Sequence, residues 1–320
     1  MEETRDIIIT TEHLTKTYGS KTAVSDLNLS IRKGEIFGLL GLTEPTEGSA
    51  FIDGKNCTRE AIAVKRIVGY LPDSVGFYSD MTGRENLRFT GRLNGLSEET
   101  IEARIDELLE KTGMTYAADQ KTGTYSRGMK QRLGIADVLM KDPQVIIMDE
   151  PTLGIDPEGM RELMTLTRRL AEEDGRTILI SSHQLYQIQQ ICDRVGLFVG
   201  GNLIACGRID ELAAQTMADG RCSLEAAAVP DDSGWRDLLL SLGNVESVER
   251  EGDFYVVNSK SDVKRELLRK ALDGGYTISH LRERGSDLDE IYRRYFEKAG
   301  QTDGNDHERK NKTFISLKRK

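Results

Sequence analysis

The sequence predicts an α/β fold with a parallel sheet covered on both faces, followed by a smaller α+β domain. Beyond Arg127 helical and strand patterns alternate along the chain, which is typical of a parallel sheet. The apolar run from Val145 to Met148 is typical of a strand buried on both faces. After about Ala213 the order becomes β-α-β-β-α-β, which is the split βαβ or ferredoxin-like pattern.

The first part of the chain is predicted to be rich in strands and is followed by a helical insertion. The predicted strands are Ile7 to Ile9, Ala23 to Ile31 and Ile36 to Leu40. From Met81 to Gly113 the composition changes to Arg, Glu and Leu at helical spacing. Ser97 is placed to cap a helix from Glu98 to Leu109.

The remaining elements divide the chain into two domains and a tail. We expect a first domain over residues 1–213, an α+β domain over 214–300 and a flexible polar and basic tail over 301–320. The first domain continues with helix Met129 to Met140, strand Val145 to Met148, helix Glu158 to Glu173, strand Thr177 to Ser181, helix Leu185 to Cys192 and strand Val195 to Val199.

Composition excludes several classes of protein. The chain has 320 residues, 30% of them charged, and a net charge of -9 at pH 7, which argues against a nucleic-acid partner because phosphate binding needs clustered Lys and Arg. Its apolar runs fall far short of the ~18 residues of a spanning helix. The four cysteines form no C-x-x-C pair, so neither a disulfide framework nor a zinc site is indicated.

Polar residues that could bind a ligand or take part in catalysis follow the predicted strands. Asp149 and Glu150 stand at the carboxyl end of a buried strand and His183 follows the next strand, at the edge where open α/β sheets bind ligands. Ser126 and Gly128 begin a helix, whose free N–H groups can bind an anion. Acidic residues also end strands for structural reasons, and a single His after a strand is more often structural. The three features in one order favour a phosphate and Mg²⁺ site.

In combination, these motifs resemble the ATP-binding subunit of an ABC transporter, of the type with a C-terminal accessory domain. The resemblance covers most of residues 7 to 215. It implies the P-loop NTPase-like ABC cassette fold, with a mixed sheet and a helical subdomain. The matching segments are Tyr18 for the adenine-stacking aromatic, Tyr125 to Gln131 for the signature motif, Val145 to Glu150 for the Walker B strand, Gly154 to Pro157 for the D-loop and His183 for the switch histidine.

The resemblance assigns a role to each matching residue. Asp149 would hold Mg²⁺, Glu150 would orient or activate the attacking water, and His183 would contact the γ-phosphate of ATP. The remaining nucleotide contacts would come from Tyr18, Gly41, Ser126, Arg127, Gly128, Gln131 and Asp156. Because the signature residues cap a phosphate on the opposite subunit, the partners implied are a second cassette and a membrane permease. The implied location is the cytoplasmic face of the cell membrane.

The sequence departs from the family pattern at the phosphate-binding loop. The family pattern G-x-x-x-x-G-K-[ST] uses backbone N–H groups and a lysine to hold phosphates, but no G-K-[ST] occurs in the 320 residues. Gly41 matches the first glycine, and about fifteen residues that form the loop and most of the next helix are missing. We therefore expect weak ATP binding, a hairpin-like turn over Leu42 to Gly48, and an apolar sheet surface left exposed.

A second departure is Asp73, which stands where the family has a glutamine that touches Mg²⁺. A carboxylate can approach the metal but offers no amide donor, so coordination by Asp73 is an expectation. The sequence leaves two alternatives to a transporter subunit open. One is a non-hydrolysing regulatory or binding module that keeps the cassette surface. The other is a non-functional deletion product.

Overall fold

The computed structural model describes residues 7–19, 21–39, 46–216, 222–284 and 288–302. The chain divides into two compact units between Cys206 and Gly207, somewhat before the boundary at residue 213 that the sequence suggested. The basic segment of the tail, like Gly41, lies outside the described residues.

The first unit contains ten strands and six helices within its described residues, and the last strand ends at Gly207. In chain order they are β1 (Ile7–Tyr18), β2 (Lys21–Arg32), β3 (Ile36–Leu39), β4 (Glu47–Ile52), β5 (Lys55–Asn56), α1 (Ala61–Ile67), β6 (Val68–Leu71), α2 (Gly83–Leu93), α3 (Glu98–Lys111), α4 (Arg127–Leu139), β7 (Val145–Asp149), α5 (Pro157–Glu172), β8 (Thr177–Ser181), α6 (Leu185–Ile191), β9 (Arg194–Val199) and β10 (Asn202–Gly207).

Two sheets make up this unit. The first has the order β2-β1-β4-β5, and the second has the order β10-β9-β3-β8-β7-β6. In the second sheet the pairs β6–β7, β7–β8, β3–β8 and β3–β9 are parallel, so the carboxyl ends of these strands lie at one edge. The predicted alternation of strands and helices and the α/β fold class are confirmed.

The two sheets pack directly against each other. Phe37 of β3, Val145 of β7 and Leu179 of β8 belong to the same buried cluster as Ile8 and Leu29 of the antiparallel sheet. The expectation that the missing helix leaves this surface exposed is therefore wrong for the part of the face that these residues form, because the antiparallel sheet covers it. Side chains from both sheets form one buried core there, as they do in other sheet-on-sheet packings.

The opposite face of the parallel sheet is buried as well. Ile36, Ile146 and Ile178 have no exposed surface. Next to them, Gly38 allows α6 to approach closely, because a Cβ at this position would lie 2.7 Å from Cγ2 of Ile188. A side chain on residue 38 would push α6 away from the sheet.

The connection from β3 to β4 does not close a hairpin, which corrects the sequence-based expectation. β3 lies in the parallel sheet, whereas β4 pairs with β1 in the other sheet. The chain therefore passes from one sheet to the other between these strands. On the far side of this connection, the N–H of Thr46 donates to the carbonyl of Thr15 at 2.6 Å, which ties the start of β4 to β1.

The helical insertion forms as the sequence predicts, but as two helices. Thr82 caps α2 in a capping box with Glu85, and Ser97 caps α3 by accepting from the N–H of Thr100 at 3.2 Å. Such caps satisfy backbone donors that a helix leaves free at its start. Arg88 and Glu102 form an ion pair between the two helices.

The second unit contains an antiparallel sheet covered by helices on one face. Its described elements are α7 (Ile209–Thr216), β11 (Cys222–Val229), α8 (Ser233–Leu240), β12 (Val245–Glu251), β13 (Phe254–Ser259), α9 (Lys264–Asp273), β14 (Thr277–Arg284) and α10 (Leu288–Thr302). The strand order β12-β13-β11-β14 is that of the split βαβ pattern. Trp235 of α8 and Leu267 of α9 are fully buried against it.

In the described part of the chain, no helix combines the length and the apolar character that crossing a bilayer requires.

The direct packing of the two sheets can be tested through Phe37, which is fully buried between them. We predict that Phe37→Ala lowers the free energy of unfolding of the first unit by about 3–5 kcal/mol, because it removes a large side chain and leaves a cavity. Urea unfolding followed by circular dichroism measures this change. The control Leu93→Ala removes an exposed side chain, and an equal effect of both substitutions would contradict the packing.

Candidate functional site

The carboxyl edge of the parallel sheet brings Asp149 and Ser181 together. Asp149 ends β7 and pairs in register with Ser181, the last residue of β8. The Ser181 hydroxyl donates to Oδ1 of Asp149, and the Tyr70 hydroxyl donates to Oδ2 at 3.3 Å. Both oxygens of this carboxylate are therefore held in place at a half-buried position on the sheet edge.

Tyr70 is a residue of this site that the sequence analysis did not single out. It lies on β6, and its side chain is 56% exposed although it stands on a sheet face. Partial burial, the charge and hydrogen bond of Asp149, and the charge of Asp73 all raise its pKa. The carboxylates of Asp149 and Asp73, both predicted from the sequence to bind Mg²⁺, therefore both raise the pKa of the Tyr70 phenol. The parallel pairing of Tyr70 with Ile147 supplies this proximity, which the sequence alone does not give.

Glu150 and His183 form the second pair at this edge. The N–H of Glu150 donates to the Ser181 carbonyl at 2.9 Å. Oε1 of Glu150 accepts from the His183 N–H at 2.9 Å and lies 2.8 Å from His183 Nδ1, while the Ser182 hydroxyl donates to Oε2 at 3.2 Å. The structure thus brings together the two residues predicted to be catalytic.

The backbone at Glu150 is strained. Its φ of +43° lies in the left-handed region, which costs a residue with a side chain on the order of 1–3 kcal/mol. The contacts to the segment after β8 hold the residue there. In this conformation the Glu150 carboxylate contacts the backbone N–H and the ring of His183.

The helix that carries the signature motif begins at Ser126. Ser126 is the N-cap of α4 and its hydroxyl accepts from the N–H of Met129 at 3.2 Å. Gly128 is buried beside Ile155, and a Cβ on Gly128 would lie 3.3 Å from the Ile155 side chain. The hydroxyl predicted to cap a phosphate is thus part of the helix cap, at an exposed helix N-terminus.

Arg127 and Gln131 both contact the backbone of Asp73. Nη2 of Arg127 donates to the Asp73 carbonyl at 3.1 Å, and Nε2 of Gln131 donates to the same oxygen at 3.4 Å. Their predicted role is nucleotide binding, whereas these contacts join the signature helix to the segment after β6. The Asp73 side chain itself is exposed.

Asp156 and Tyr18 lie on separate elements. Asp156 is the N-cap of α5 and accepts from the N–H groups of Glu158 and Gly159 at 3.1 and 3.0 Å. The Gly159 N–H in particular lowers the pKa of Asp156. Tyr18 ends β1 with half of its side chain exposed, and Lys16 Nζ lies 4.6 Å from the ring centroid. Both assignments to the nucleotide remain predictions.

The side-chain oxygens at the sheet edge are suited to binding Mg²⁺ rather than to binding phosphate directly. Mg²⁺ is commonly held by one or two carboxylates together with water and substrate phosphates, and Asp149 with Ser181 offers such oxygens. Among the described residues, no group of three or more His, Cys, Asp or Glu is arranged to hold a metal ion alone. Within the described residues, Asp149 and Glu150 accept from hydroxyls and from the backbone N–H of His183, and Glu150 also contacts the His183 imidazole.

The geometry defines a class: an α/β cassette with an acidic pair and a histidine at the carboxyl edge of a parallel sheet and a helix N-terminus, at Ser126, that matches the signature motif. The family model described as "ABC transporter" matches residues 38–153. The bacitracin transport ATP-binding protein BcrA of Bacillus licheniformis is 39% identical over 212 residues, covering 62% of this chain and 68% of BcrA. The chain belongs to the ABC transporter family, as an ATP-binding cassette subunit.

Other comparisons agree. The linearmycin resistance ATP-binding protein LnrL of Bacillus subtilis is 32% identical over 252 residues, covering 74% of this chain and 80% of LnrL. The solved structure of cbiO1 from Clostridium perfringens, part of an ABC transporter complex, has a TM-score of 0.60 and 29% identity and covers 67% of this chain and 93% of its own. Subunits of this family bind ATP, form dimers and work with membrane permeases.

The contact between Tyr70 and Asp149 gives a test of this edge. We predict that Asp149→Asn lowers the pKa of Tyr70 toward its ordinary value, because it removes the negative charge that disfavours the phenolate. The pKa follows from absorbance titrations, taken as the difference between each protein and the same protein with Tyr70→Phe. Asp80→Asn, on an exposed residue of the β6–α2 segment, is the control and should leave the pKa unchanged. An unchanged pKa in Asp149→Asn would show that the two side chains do not interact.

Proposed function

We propose that this chain is a cassette subunit with a defective phosphate site of its own, which supplies its signature helix to ATP bound by an intact second cassette. One observation carries the proposal. The segment from Gly41 to Glu47 contains no Lys or Arg and two glutamates, and no G-K-[ST] occurs in the chain. A triphosphate at this sheet edge would face carboxylates without the lysine and N–H cradle that offset its charge.

The length of the alignments supports a missing segment. The alignment with BcrA runs over 212 positions, whereas 62% of 320 residues is about 198. About 14 aligned positions therefore have no residue in this chain, which agrees with a lost loop and helix. The proposed loss is confined to this segment, because the strand before it, β3, and the acidic residues Asp149 and Glu150 are retained.

Charge explains why the loss weakens binding at this edge. Asp149 and Glu150 are both acidic and partly buried, and like charges at close range cost more when they are partly buried. Mg²⁺ can offset part of this charge, with Asp149 as its protein ligand and Asp73 as a second candidate. It does not replace the N–H groups that fix the phosphates in position.

The parts that act on a partner are retained. Ser126 and Gly128 stand at the start of α4, a helix of 13 residues, where the positive end of the helix dipole favours an anion. In the proposed complex this end faces the γ-phosphate held by the second cassette. Glu150 and His183 keep their mutual contact, and Tyr18, half exposed at the end of β1, is proposed to stack on adenine. Both cassettes would sit on a permease at the cytoplasmic face of the membrane.

Complementation between two defective chains tests the proposal. A loop-restored variant carries the corresponding segment of the BcrA relative in place of Leu42–Pro45, together with Ser126→Ala and Gly128→Asp, so that its own signature helix is inactive. We predict that adding the unmodified chain raises ATP hydrolysis by about tenfold or more, because the mixed dimer has one complete site.

The matched control is the unmodified chain with Ser126→Ala and Gly128→Asp, which should give no increase when it is mixed with the loop-restored variant. The loop-restored variant without the signature substitutions shows that the graft folds and hydrolyses ATP. If that variant is active but the unmodified chain never complements, the proposed role in the partner's site is wrong.

A further inference from the structure

Three segments of the first unit meet at the start of α4. The first is the loop between β6 and α2, which contains Asp73. The second is the first turn of α4 itself. The third is the turn at Gly154, between β7 and α5. Each of these segments matches a different motif in the sequence, and a single side chain, Arg127, contacts both of the other segments.

The loop after β6 runs along one face of α4. Arg127 and Gln131 donate to the Asp73 carbonyl at 3.1 and 3.4 Å. One turn further, Gly134 allows Leu71 and Val75 to approach, since a Cβ there would lie 2.6 and 2.9 Å from their side chains. The spacing i, i+4, i+7 places these three residues of α4 on the same face.

The other contact of Arg127 is with the turn at Gly154. This glycine has a φ of +69°, and a Cβ built on it would lie 3.2 Å from Cδ and 3.4 Å from Nε of Arg127. The arginine stem therefore lies over the bare backbone of this turn while its guanidinium reaches Asp73. Next to it, Gly128 contacts Ile155 of the same turn.

Gln131 shows that this junction is built into the interior. Its side chain is 1% exposed, and its Oε1 has no hydrogen-bond partner in the described part of the chain. A buried amide oxygen without a hydrogen-bond partner lowers the stability of the fold. The bond that Gln131 donates to the Asp73 carbonyl therefore holds the loop at a cost in stability. Arg127 supplies the second, charge-assisted bond to the same oxygen.

We infer that Arg127 is a positioning residue that locks the Asp73 loop and the Gly154 turn to the signature helix, so that the three segments move together. The guanidinium acts on the backbone of its own chain and not on the partner's phosphate. A movement of the Asp73 loop, imposed from outside, would then shift Ser126 and Gly128 directly. A test of this inference by ATP hydrolysis rests on the proposed function, whereas a test by hydrogen exchange of the isolated chain does not.

Hydrogen exchange of the isolated chain gives the first measurement. Arg127→Ala should raise the exchange rates of the segment Asp73–Tyr78 and of the Ile155 amide by about threefold to tenfold, because one bond that closes the junction is lost. Arg127→Lys, which keeps one charged donor, should restore most of the protection. The matched control Arg161→Ala removes an exposed arginine in the second turn of α5 that donates within its own helix, and should leave both segments unchanged.

ATP hydrolysis in the complementation mixture gives the second measurement. Arg127→Ala in the unmodified chain should lower kcat by about tenfold while the KM for ATP changes less than about twofold, because a misplaced signature helix affects the transition state more than ground-state binding. A raised KM with unchanged exchange would overturn the inference and assign Arg127 to the phosphate. If no variant complements, the proposed function fails, and the exchange rates still decide the role of Arg127.

Discussion

The parallel pairing of β7 with β8 is the constraint on which the site depends. Because Asp149 lies in register with Ser181, the residues that follow the two strands meet at once, and Glu150 reaches Ser182 and His183 within a single turn. The left-handed backbone of Glu150 is tolerated because these contacts hold it. The arrangement of side chains at this edge follows from strand register and from the short segments beyond each strand. It does not depend on contacts with a phosphate loop.

The same sheet explains how the fold closes without the segment that the family normally places after β3. The antiparallel sheet packs directly on Phe37, Val145 and Leu179, so the apolar half of this face is buried. Beyond these residues, toward the carboxyl edge, Tyr70 remains 56% exposed and shares Asp149 with Ser181. The proposed loss of the segment would therefore affect the phosphate site and its surroundings far more than the hydrophobic core.

Local patterns in the sequence were sufficient for the elements and for part of the site. Four apolar residues before Asp149 and a cap at Ser97 each report on neighbours in the chain, and the structure places both as predicted. The contact of Tyr70 with Asp149 joins residues 79 positions apart, so no local pattern indicates it. The covering of Phe37 by the antiparallel sheet, and the use of Arg127 to hold the Asp73 backbone, depend on tertiary packing in the same way.

The central claim is that this sheet edge no longer binds ATP tightly by itself, and equilibrium dialysis of the isolated chain against radiolabelled ATP with Mg²⁺ tests it most directly. We expect no saturable binding up to millimolar ATP, with the loop-restored chain as the positive reference. Saturable binding at micromolar ATP that Asp149→Asn abolishes would contradict it.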